Sequence, residues 1–584
     1  MTKTELFNII LLLMYREMIT IAQIKACQRP KMISDLKDLI NSNSKCFGDK
    51  VLYIYKEGKE EKKFTYNQVL NHTNAIGTAF SVLGIMGSTI AVIGDTHPEY
   101  MNTYYATVNG GGVIVPLDRE LSADQIVSFC ILAEVEAIAY TKSFNDILPE
   151  LIDKIPNLKY MIPITPDKEY EDKRIVSLPK LLEIGNSELE AGNRSFIDHE
   201  VDLKKPCAIL FTSGTTGTSK GVVLSQFNLA AATNSSCQTM EYDYRNRFVS
   251  VLPLHHTYET TCGHLAISNL GAQIYINQGL KNVLRSFAKY KPNSLMLVPL
   301  FVETVHKKIW IEVDKKGMRK KLRTLMKISD ALLKIGIDLR PKLFGRITSA
   351  FGGNLRSIVC GGAAISPEIV KDFQSFGITV IEGYGITECA PLVAVNNPNN
   401  IRYHSVGKPV FGCEVKIDKE DGKETGEILA RGDNVMMGYY KNDEANKDAF
   451  TEDGFFRTGD IGYMDDEGFI YITGRKKNVI VLSNGKNVFP EEIEEHLSRC
   501  DLIAESVVLG RNNDNGKIVI TAVIYPNYEL LQNKTADEVY SEIKEKVFEI
   551  NRTLPSFKQV REIEIRTEEF EKTTSKKIKR FLVK

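Results

Sequence analysis

The chain has 584 residues, of which 43% are hydrophobic and 25% are charged. These values are those of ordinary globular proteins, so they argue against disordered, collagen-like and membrane-spanning classes. Lysine and arginine together number 74, and so do aspartate and glutamate, so no net charge draws the protein to nucleic acid or to an anionic membrane. At roughly 150 residues per domain, the length predicts several folding units.

The first segment, residues 1–31, contains an apolar run from Phe7 to Tyr15. That run falls far short of the roughly 20 residues that a membrane-spanning helix needs. We interpret residues 1–31 as a leader of uncertain structure, with a signal peptide as the alternative. The ten cysteines of the chain are scattered, without a C-x-x-C pair or a histidine-spaced cluster, which predicts free, mostly buried thiols in a cytoplasmic protein.

Short β-rich runs alternate with helical stretches through the first two thirds of the chain. Residues 89–93 and 113–116 are examples, and the pattern recurs from residue 208 to residue 381. Such alternation predicts parallel sheets with crossover helices, in which ligands bind beyond the carboxyl ends of the strands. The glycine-containing turns that follow residues 357–360 and 379–381 are therefore candidate walls of a site.

A loop rich in hydroxyls and glycines, residues 212–221, follows the apolar run at 208–211. Glycines bring backbone N–H groups close to an anion, while the Ser and Thr hydroxyls add donors and Lys220 adds a positive charge. The lysine stands three residues after Gly217, so the loop is not a Walker A motif. The sequence predicts a phosphate-binding loop, and a solvated turn of the same composition is the alternative.

From about residue 403 to residue 473 the sequence becomes β-dominated. A hairpin is predicted in which the turn at 465–468 joins the runs at 461–464 and 469–472. The segment 474–477 then precedes Pro490, and acidic residues follow this proline, which is typical of a helix start. Residues 474–477 are therefore predicted to join two domains.

Five motifs occur in order along the chain, at 212–221, 384–388, 458–460, 474–477 with 483–485, and 572–580. Together they resemble the adenylate-forming superfamily, which includes acyl-CoA synthetases, firefly luciferase and the adenylation domains of peptide synthetases. The resemblance covers about residues 33–584. Each motif is weak alone, but their order and separations match those of the family.

The resemblance implies an α/β fold with a large N-terminal domain and a smaller, mobile α+β C-terminal domain. The N-terminal AMP-binding domain is predicted at 32–473, with α/β subdomains at 32–205 and 206–400 and a small β-barrel at 401–473. The C-terminal domain is predicted at 474–584, with its hinge at 474–477. The implied reaction has two steps: a carboxylate attacks the α-phosphate of Mg-ATP, and a thiol, usually that of coenzyme A, then displaces AMP.

The resemblance assigns many motif residues to ATP. Lys220 and the loop's hydroxyl and amide groups would hold the departing phosphates, the loop residues being Thr212, Ser213, Gly214, Thr215, Thr216 and Gly217. The purine would stack on Tyr384, and the surrounding chain would contact it, at Gly362, Ala363, Glu382 and Gly383. Without its neighbours in the motif, Tyr384 would be interpreted as a core tyrosine.

Four more residues complete the implied nucleotide site. Thr387 would donate to the α-phosphate, and Glu388 would hold Mg²⁺, a hard cation suited to one carboxylate with phosphate oxygens and waters. Asp460 would accept bonds from the ribose hydroxyls, with a turn aspartate as the alternative, and Arg475 would make a second nucleotide contact.

Other family roles fall on single residues. Lys577 matches the lysine that enters the site during adenylation, although the family has glycine where this chain has Lys576, and a solvated basic tail is the alternative. His256 matches a histidine between the acyl and phosphate pockets, with a gating or carboxylate-orienting role. Lys477 stands at the hinge, and Gly485 at the coenzyme A channel.

The stretch from Pro299 to Gly362 resembles the extended helical segment of long-chain fatty acyl-CoA synthetases, which favours a fatty acid substrate. Within it, lysine or arginine stands at 307, 308, 315, 316, 319, 320, 321, 323 and 327, near the single tryptophan, Trp310. A basic helix face with Trp310 is a candidate contact for an anionic membrane, and a solvated helix face is the alternative.

Two other functions stay open at this stage. One is a regulator that binds nucleotide or acyl-adenylate without catalysis, against which the retained Lys220, Glu388, Asp460 and Lys577 argue. The other is a fatty acyl-AMP ligase that passes the acyl group to a carrier protein. The sequence predicts ATP and Mg²⁺ as requirements of either ligase and leaves the thiol acceptor undecided.

Overall fold

The computed structural model describes residues 32–212, 219–240, 242–482, 486–512, 517–572 and 578–583. The predicted leader at 1–31, Ser213 to Gly217 of the phosphate loop, Gly485 and Lys577 lie outside these ranges.

The first part of the described chain alternates strands with helices. Its elements are α1 (Leu36–Phe47), β1 (Val51–Glu57), β2 (Glu60–Thr65), α2 (Tyr66–Val82), β3 (Thr89–Ile93), α3 (Pro98–Asn109), β4 (Val113–Leu117), α4 (Ala123–Leu132), β5 (Ala137–Tyr140), β6 (Tyr160–Pro163) and α5 (Leu178–Glu190). β3 pairs in parallel with both β4 and β5. The sequence pattern at residues 89–93 therefore gave the correct strand and the correct kind of sheet.

The second part repeats this alternation with longer helices. Its elements are β7 (Pro206–Thr212), β8 (Lys220–Ser225), α6 (Gln226–Thr239), β9 (Arg247–Ser250), a π-helix (Tyr258–Leu265), α7 (Ala266–Asn269), β10 (Gln273–Ile276), α8 (Val283–Tyr290), β11 (Ser294–Leu297), α9 (Pro299–Lys315), α10 (Arg319–Leu333), α11 (Arg340–Leu343), α12 (Gly345–Ser349), β12 (Ser357–Gly361), α13 (Pro367–Ser375), β13 (Thr379–Gly385) and β14 (Leu392–Val395).

The remaining elements are shorter in the middle of the chain and compact at its end. They are β15 (Lys408–Pro409), β16 (Cys413–Asp418), β17 (Gly426–Gly432), β18 (Gly438–Tyr439), α14 (Asp443–Lys447), β19 (Phe456–Met464), β20 (Ile470–Arg475), β21 (Ile480–Val481), β22 (Asn487–Val488), α15 (Pro490–Ser498), β23 (Ile503–Asn512), β24 (Ile518–Pro526), α16 (Ala536–Asn551) and β25 (Glu562–Ile565). The hairpin of β19 and β20 and the helix that begins at Pro490 agree with the sequence predictions.

Two large mixed sheets organise the N-terminal part. Among the described residues, one has the order β18-β8-β7-β4-β3-β5-β6 and the other β15-β14-β13-β12-β11-β9-β10-β1-β2. The main apolar core lies between them, where Ile76 of α2 and Leu229 of α6 join Ile90 of β3 and Ile274 of β10. The predicted α/β fold with a large N-terminal domain is thus confirmed.

Two smaller units follow the large sheets. β16, β17, β19 and β20 form an antiparallel sheet, and β23, β24 and β25 form the sheet of the small C-terminal domain. α15 and α16 cover the latter sheet through Ile493, Leu497 and Ile543. None of the helices in the described ranges is long and apolar enough to cross a membrane.

The cysteines divide into two groups. Eight in the described ranges are free, and seven of these are buried, as predicted. Cys46 is disulfide-bonded, so the prediction of free thiols was wrong at that position. Spacing along the chain did not reveal this bond, because a disulfide depends on which cysteines the fold brings together.

Candidate active site

One cavity of about 2480 Å³ opens at the carboxyl ends of the strands of both large sheets. The ends of β7, β9, β11, β12 and β13 all contribute to its wall, as expected for ligand sites of open α/β sheets. Eleven of the residues predicted from the sequence line it: Thr212, Lys220, His256, Gly362, Ala363, Gly383, Tyr384, Thr387, Glu388, Arg475 and Lys477. The fold therefore brings together motifs that are far apart in the sequence.

Tyr384 is held from behind by a buried carboxylate. Its hydroxyl donates to Oδ2 of Asp460 at 2.6 Å, and Arg475 Nε forms an ion pair with Oδ1 of Asp460 at 2.7 Å. Asp460 and Arg475 face each other across the pairing of β19 with β20. Burial, followed by the Asp460 charge, raises the pKa of Tyr384 well above its ordinary value. The aromatic ring and the guanidinium are therefore fixed by one shared partner.

Thr387 and Glu388 lie in a short 3₁₀ helix directly after β13. Oε1 of Glu388 accepts a hydrogen bond from the Tyr439 hydroxyl at 2.9 Å, and Lys220 Nζ lies 4.6 Å from the centre of the Tyr439 ring. Tyr439 reaches this place because β18 pairs with β8, the strand that begins at Lys220. Sequence reasoning missed Tyr439, since no motif contains it.

The donor set around Glu388 fits Mg²⁺. No cluster of three or more potential His, Cys, Asp or Glu metal ligands occurs in the part of the chain that the structure describes. Mg²⁺ seldom requires such a cluster, because it binds through one or two carboxylates together with substrate phosphates and waters. Glu388 supplies one carboxylate at the cavity wall.

Three cationic side chains approach the same part of the cavity. Lys477, in the 3₁₀ helix Lys476–Asn478, has its pKa lowered by burial first and then by the charges of Arg475 and Lys220. Asp460 and Glu388 oppose this shift. An excess of positive charge at one wall suits a polyphosphate. Lys572 and Lys579, which flank the predicted C-terminal lysine in sequence, also line the cavity.

The predicted purine wall, which contains Gly362 and Glu382, combines an unusual backbone conformation with an unsatisfied buried acid. Gly362 has φ of 94°, a conformation that L side chains rarely adopt. Glu382 does not reach the cavity surface; it is buried, and among the described residues its Oε1 has no hydrogen-bond partner. Burial first, and then Glu495, raise its pKa to about 8.

Two adjacent histidines follow β9. The rings of His255 and His256 lie 4.0 Å apart, and His255 Nε2 lies 3.5 Å from Oδ2 of Asp118. Burial and the neighbouring His256 lower the pKa of His255 to about 3, so its imidazole is neutral. Sequence reasoning selected His256 and missed His255 and Asp118, which follow β9 and β4, two strands that belong to different sheets.

The cavity continues as an apolar arm between helices α9, α10, α11 and α12. The side chains that line this arm are Val305, Ile309, Val313, Leu322, Leu325, Leu343, Phe344 and Ile347. Where it reaches the surface, Lys308, Lys316 and Arg346 surround it. We refer to this part of the cavity as the acyl arm.

Trp310 does not belong to an exposed basic face, and that expectation was wrong. The side chain is 6% exposed, and its indole N–H donates to Asp372 at 3.0 Å. Arg319 and Arg323 stack on the ring, and Arg323 also binds Asp372. Trp310 is buried because α10 and α13 supply partners for both its ring and its N–H, which the spacing of lysines could not indicate.

Along most of its length the sequence matches two known protein families. The family described as "AMP-binding enzyme" matches residues 41–440, and "AMP-binding enzyme C-terminal domain" matches residues 477–583. A long-chain-fatty-acid–CoA ligase of Mycobacterium bovis is 30% identical over 467 residues, which cover 76% of this chain and 75% of the relative. A chloroplastic long-chain-fatty-acid–[acyl-carrier-protein] ligase of Arabidopsis thaliana is 27% identical over 581 residues, covering 88% and 79%.

The fold is also found in solved structures. The crystal structure of an anthranilate CoA ligase in complex with anthranoyl-AMP has a TM-score of 0.75 to this chain at 20% identity. The match covers 95% of this chain and 97% of that protein. At this identity the likeness concerns the fold.

Proposed function

Because this chain belongs to the family of AMP-binding enzymes and is an ATP-dependent, adenylate-forming ligase, we propose that it activates a long-chain fatty acid and transfers it to coenzyme A. The observation that carries the proposal is the acyl arm, an apolar passage continuous with the cavity that Tyr384 and Glu388 line. A short or polar acid would leave most of that passage without apolar contacts, whereas a long alkyl chain gains free energy with every buried methylene.

In the first step a carboxylate oxygen of the acid would attack the α-phosphorus, and the bond to pyrophosphate would break. We assign the phosphate charge to Lys220 and Arg475, the α-phosphate contact to Thr387, and the metal to Glu388. Bound there, Mg²⁺ would offset the charge that develops on the phosphate oxygens. Lys577, which lies outside the described residues, is proposed as the adenylation lysine because of its place in the C-terminal motif.

In the second step the thiolate would attack the acyl carbon, and AMP would leave with the electron pair of the acyl–oxygen bond. The C-terminal domain must rotate so that the adenylation lysine leaves and the thiol enters, and we propose Lys477 as the hinge residue and Gly485 as part of the thiol channel. Lys477→Pro would restrict φ there and should preserve pyrophosphate release while thioester formation falls.

The acid panel is the direct test of the substrate. Purified enzyme is incubated with ATP, Mg²⁺ and coenzyme A and with saturated acids from acetate to stearate, and AMP and thioester are both measured. Release of AMP with thioester only for the long acids supports the proposal. A preference for acetate, or no product with any acid, would contradict it, and the second result would favour a regulator.

The acceptor is tested separately, since one relative is named as a ligase for acyl-carrier protein. The same acid is offered with coenzyme A, with phosphopantetheinylated carrier protein, or with both in equal amounts. We expect the thioester of coenzyme A to form in both mixtures that contain coenzyme A. Transfer to carrier protein alone would leave the adenylation proposal intact and overturn the proposed acceptor.

A peripheral membrane contact is proposed through the exposed sides of α9 and α10. Exposed lysines there, such as Lys307, Lys315 and Lys320, lie near exposed Ile311 and Ile328. Basic and apolar side chains together suit an anionic bilayer surface. Sedimentation with phosphatidylglycerol vesicles should exceed that with phosphatidylcholine and should fall in Ile311→Ser/Ile328→Ser. Phe548→Ser, at a more exposed apolar position on α16, serves as the control.

A further inference from the structure

A buried acid, Glu259, lies behind residues 251–257. These residues carry His255 and His256, and we call them the histidine turn. Glu259 has no role in the chemistry described above. Glu259 is the second residue of the π-helix, and only 1% of it is exposed. Its Oε1 accepts a hydrogen bond from the Ser250 hydroxyl, and the backbone N–H of Val251 also donates to the carboxyl group. Burying an acid costs several kcal/mol unless hydrogen bonds compensate, so a carboxyl group in this place needs a reason.

The hydrogen bonds form a chain with one consistent direction. Ser250 donates to Glu259, so its oxygen is free to accept from His264 Nε2 at 3.1 Å. His264 Nδ1 then accepts from the Tyr53 hydroxyl at 3.2 Å. Burial lowers the pKa of His264 to about 3, so the ring is neutral and carries the single proton that this direction requires. This series of hydrogen bonds ends at Glu259, which accepts the last one.

Glu259 and its neighbour Tyr258 attach the histidine turn to both sides of the cavity. Ser250 and Val251 lie at the end of β9, and the turn from there to Tyr258 carries His255 and His256. Tyr258 donates to the carbonyl of Val359 in β12 at 3.0 Å. β12 leads directly into the glycine turn at 361–362 of the purine wall. One rigid turn therefore separates the acyl side from the nucleotide side.

We propose that Glu259 is a positioning residue for adenylation: it fixes the turn that carries His255 and His256, and thereby the place where the substrate carboxylate meets the α-phosphate. The inference rests on the proposed adenylation of a carboxylic acid. Glu259 itself touches neither substrate. Without its carboxyl group, Ser250 and the Val251 N–H lose their common acceptor, and the turn between them and Tyr258 becomes free to shift.

The test compares Glu259→Ala and Glu259→Gln with Thr261→Val. Thr261 is on the same π-helix, is fully buried, and its hydroxyl has no hydrogen-bond partner among the described residues. Acid-dependent pyrophosphate release is measured with varied acid and with varied ATP, together with thioester formation from supplied acyl-AMP and the midpoint of thermal unfolding.

We expect Glu259→Ala to lower kcat/KM for the acid by about 10²-fold, the size of effect caused by small displacements of reacting groups. Glu259→Gln retains one acceptor oxygen and should recover part of this loss. The KM for ATP and the rate from supplied acyl-AMP should remain close to the parent in both. The Thr261 hydroxyl has no hydrogen-bond partner among the described residues, so Thr261→Val should keep parental kcat/KM even if its unfolding midpoint falls.

Three results would overturn the inference. These are parental kinetics in Glu259→Ala, an equal loss in Thr261→Val, or a loss confined to the KM for ATP. Each is distinct from failure of the proposed function, in which the parent enzyme itself would release no pyrophosphate with any fatty acid.

Discussion

The two ends of the cavity are built in different ways. The nucleotide end consists of backbone turns, charges and hydroxyls at strand ends, and most of its residues belong to short sequence motifs. The acyl arm consists of apolar side chains from α9 to α12, and none of its lining residues belongs to one of the five motifs. Recognition of phosphate and purine depends on atoms at fixed positions, whereas an alkyl chain requires only apolar volume. Substitutions at the two ends should therefore fail differently.

The largest effect is expected at the nucleotide end from Lys577→Ala. A positioned cation can be worth about 10³-fold in transfer at phosphorus, and the thiol step develops no comparable charge for it to meet. We expect acyl-AMP formation to fall by about that factor, while thioester synthesis from supplied acyl-AMP stays near parental. Lys576→Ala is the matched control. An equal loss in both steps would indicate a structural lysine, and a loss only in the control would move the assignment to Lys576.

Glu388→Ala should lower adenylation by about 10²-fold, because it removes the carboxylate proposed to hold Mg²⁺. High Mg²⁺ should restore part of the rate. Tyr439→Phe removes the hydroxyl that donates to Glu388 at 2.9 Å but leaves the carboxylate, so its loss should be smaller. Both variants are assayed for pyrophosphate release across a Mg²⁺ titration. If Glu388→Ala has the parental Mg²⁺ dependence, the metal is bound elsewhere.

At the acyl arm, Leu322→Trp should change the substrate range and leave ATP use alone. The added ring fills the passage, so kcat/KM should fall about tenfold or more for palmitate and little for octanoate. Ile311→Trp, on the exposed side of α9, is the control and should affect neither acid. If kcat/KM falls equally for palmitate and for octanoate, the alkyl chain of the substrate does not lie between α9 and α10.

Asp460→Asn should have a smaller effect, expressed in ATP binding. Asp460 accepts a hydrogen bond from Tyr384 and forms an ion pair with Arg475, and a hydrogen bond to a charged group contributes about 1.5–3 kcal/mol. We expect KM for ATP to rise about tenfold with a KM for the fatty acid close to parental. A parental KM for ATP would show that neither the ring of Tyr384 nor Arg475 contacts the nucleotide.

The smallest effect concerns stability at the boundary between the two ends. Burial raises the pKa of Glu259 from an ordinary value of 4.5 to about 8. Between these values the folded protein holds a proton that the unfolded chain has released, so Glu259 costs stability increasingly as pH rises through that window. Glu259→Gln removes this dependence. The difference between the thermal unfolding midpoint of the variant and that of the parent should therefore increase in favour of the variant as the pH is raised from about 5 to about 8.

His264, whose pKa is lowered by burial, contributes in the opposite direction at acidic pH, but it is present in both proteins and cancels in the difference. A constant difference between the two midpoints across this range would mean that Glu259 is ionised in the folded protein.

By itself, the sequence determined the α/β class, strands such as Thr89–Ile93, the helix start at Pro490 and eleven of the residues that line the cavity. These depend on short-range periodicity, on turn chemistry, or on motifs in which backbone and charge act locally. Only the tertiary structure placed Tyr439 on Glu388, His255 beside Asp118 and Trp310 on Asp372. It alone also formed the acyl arm and the hydrogen-bond chain that ends on Glu259. Such contacts join residues distant in sequence, and ordinary apolar or polar side chains carry no local signal of the partner that the fold will bring to them.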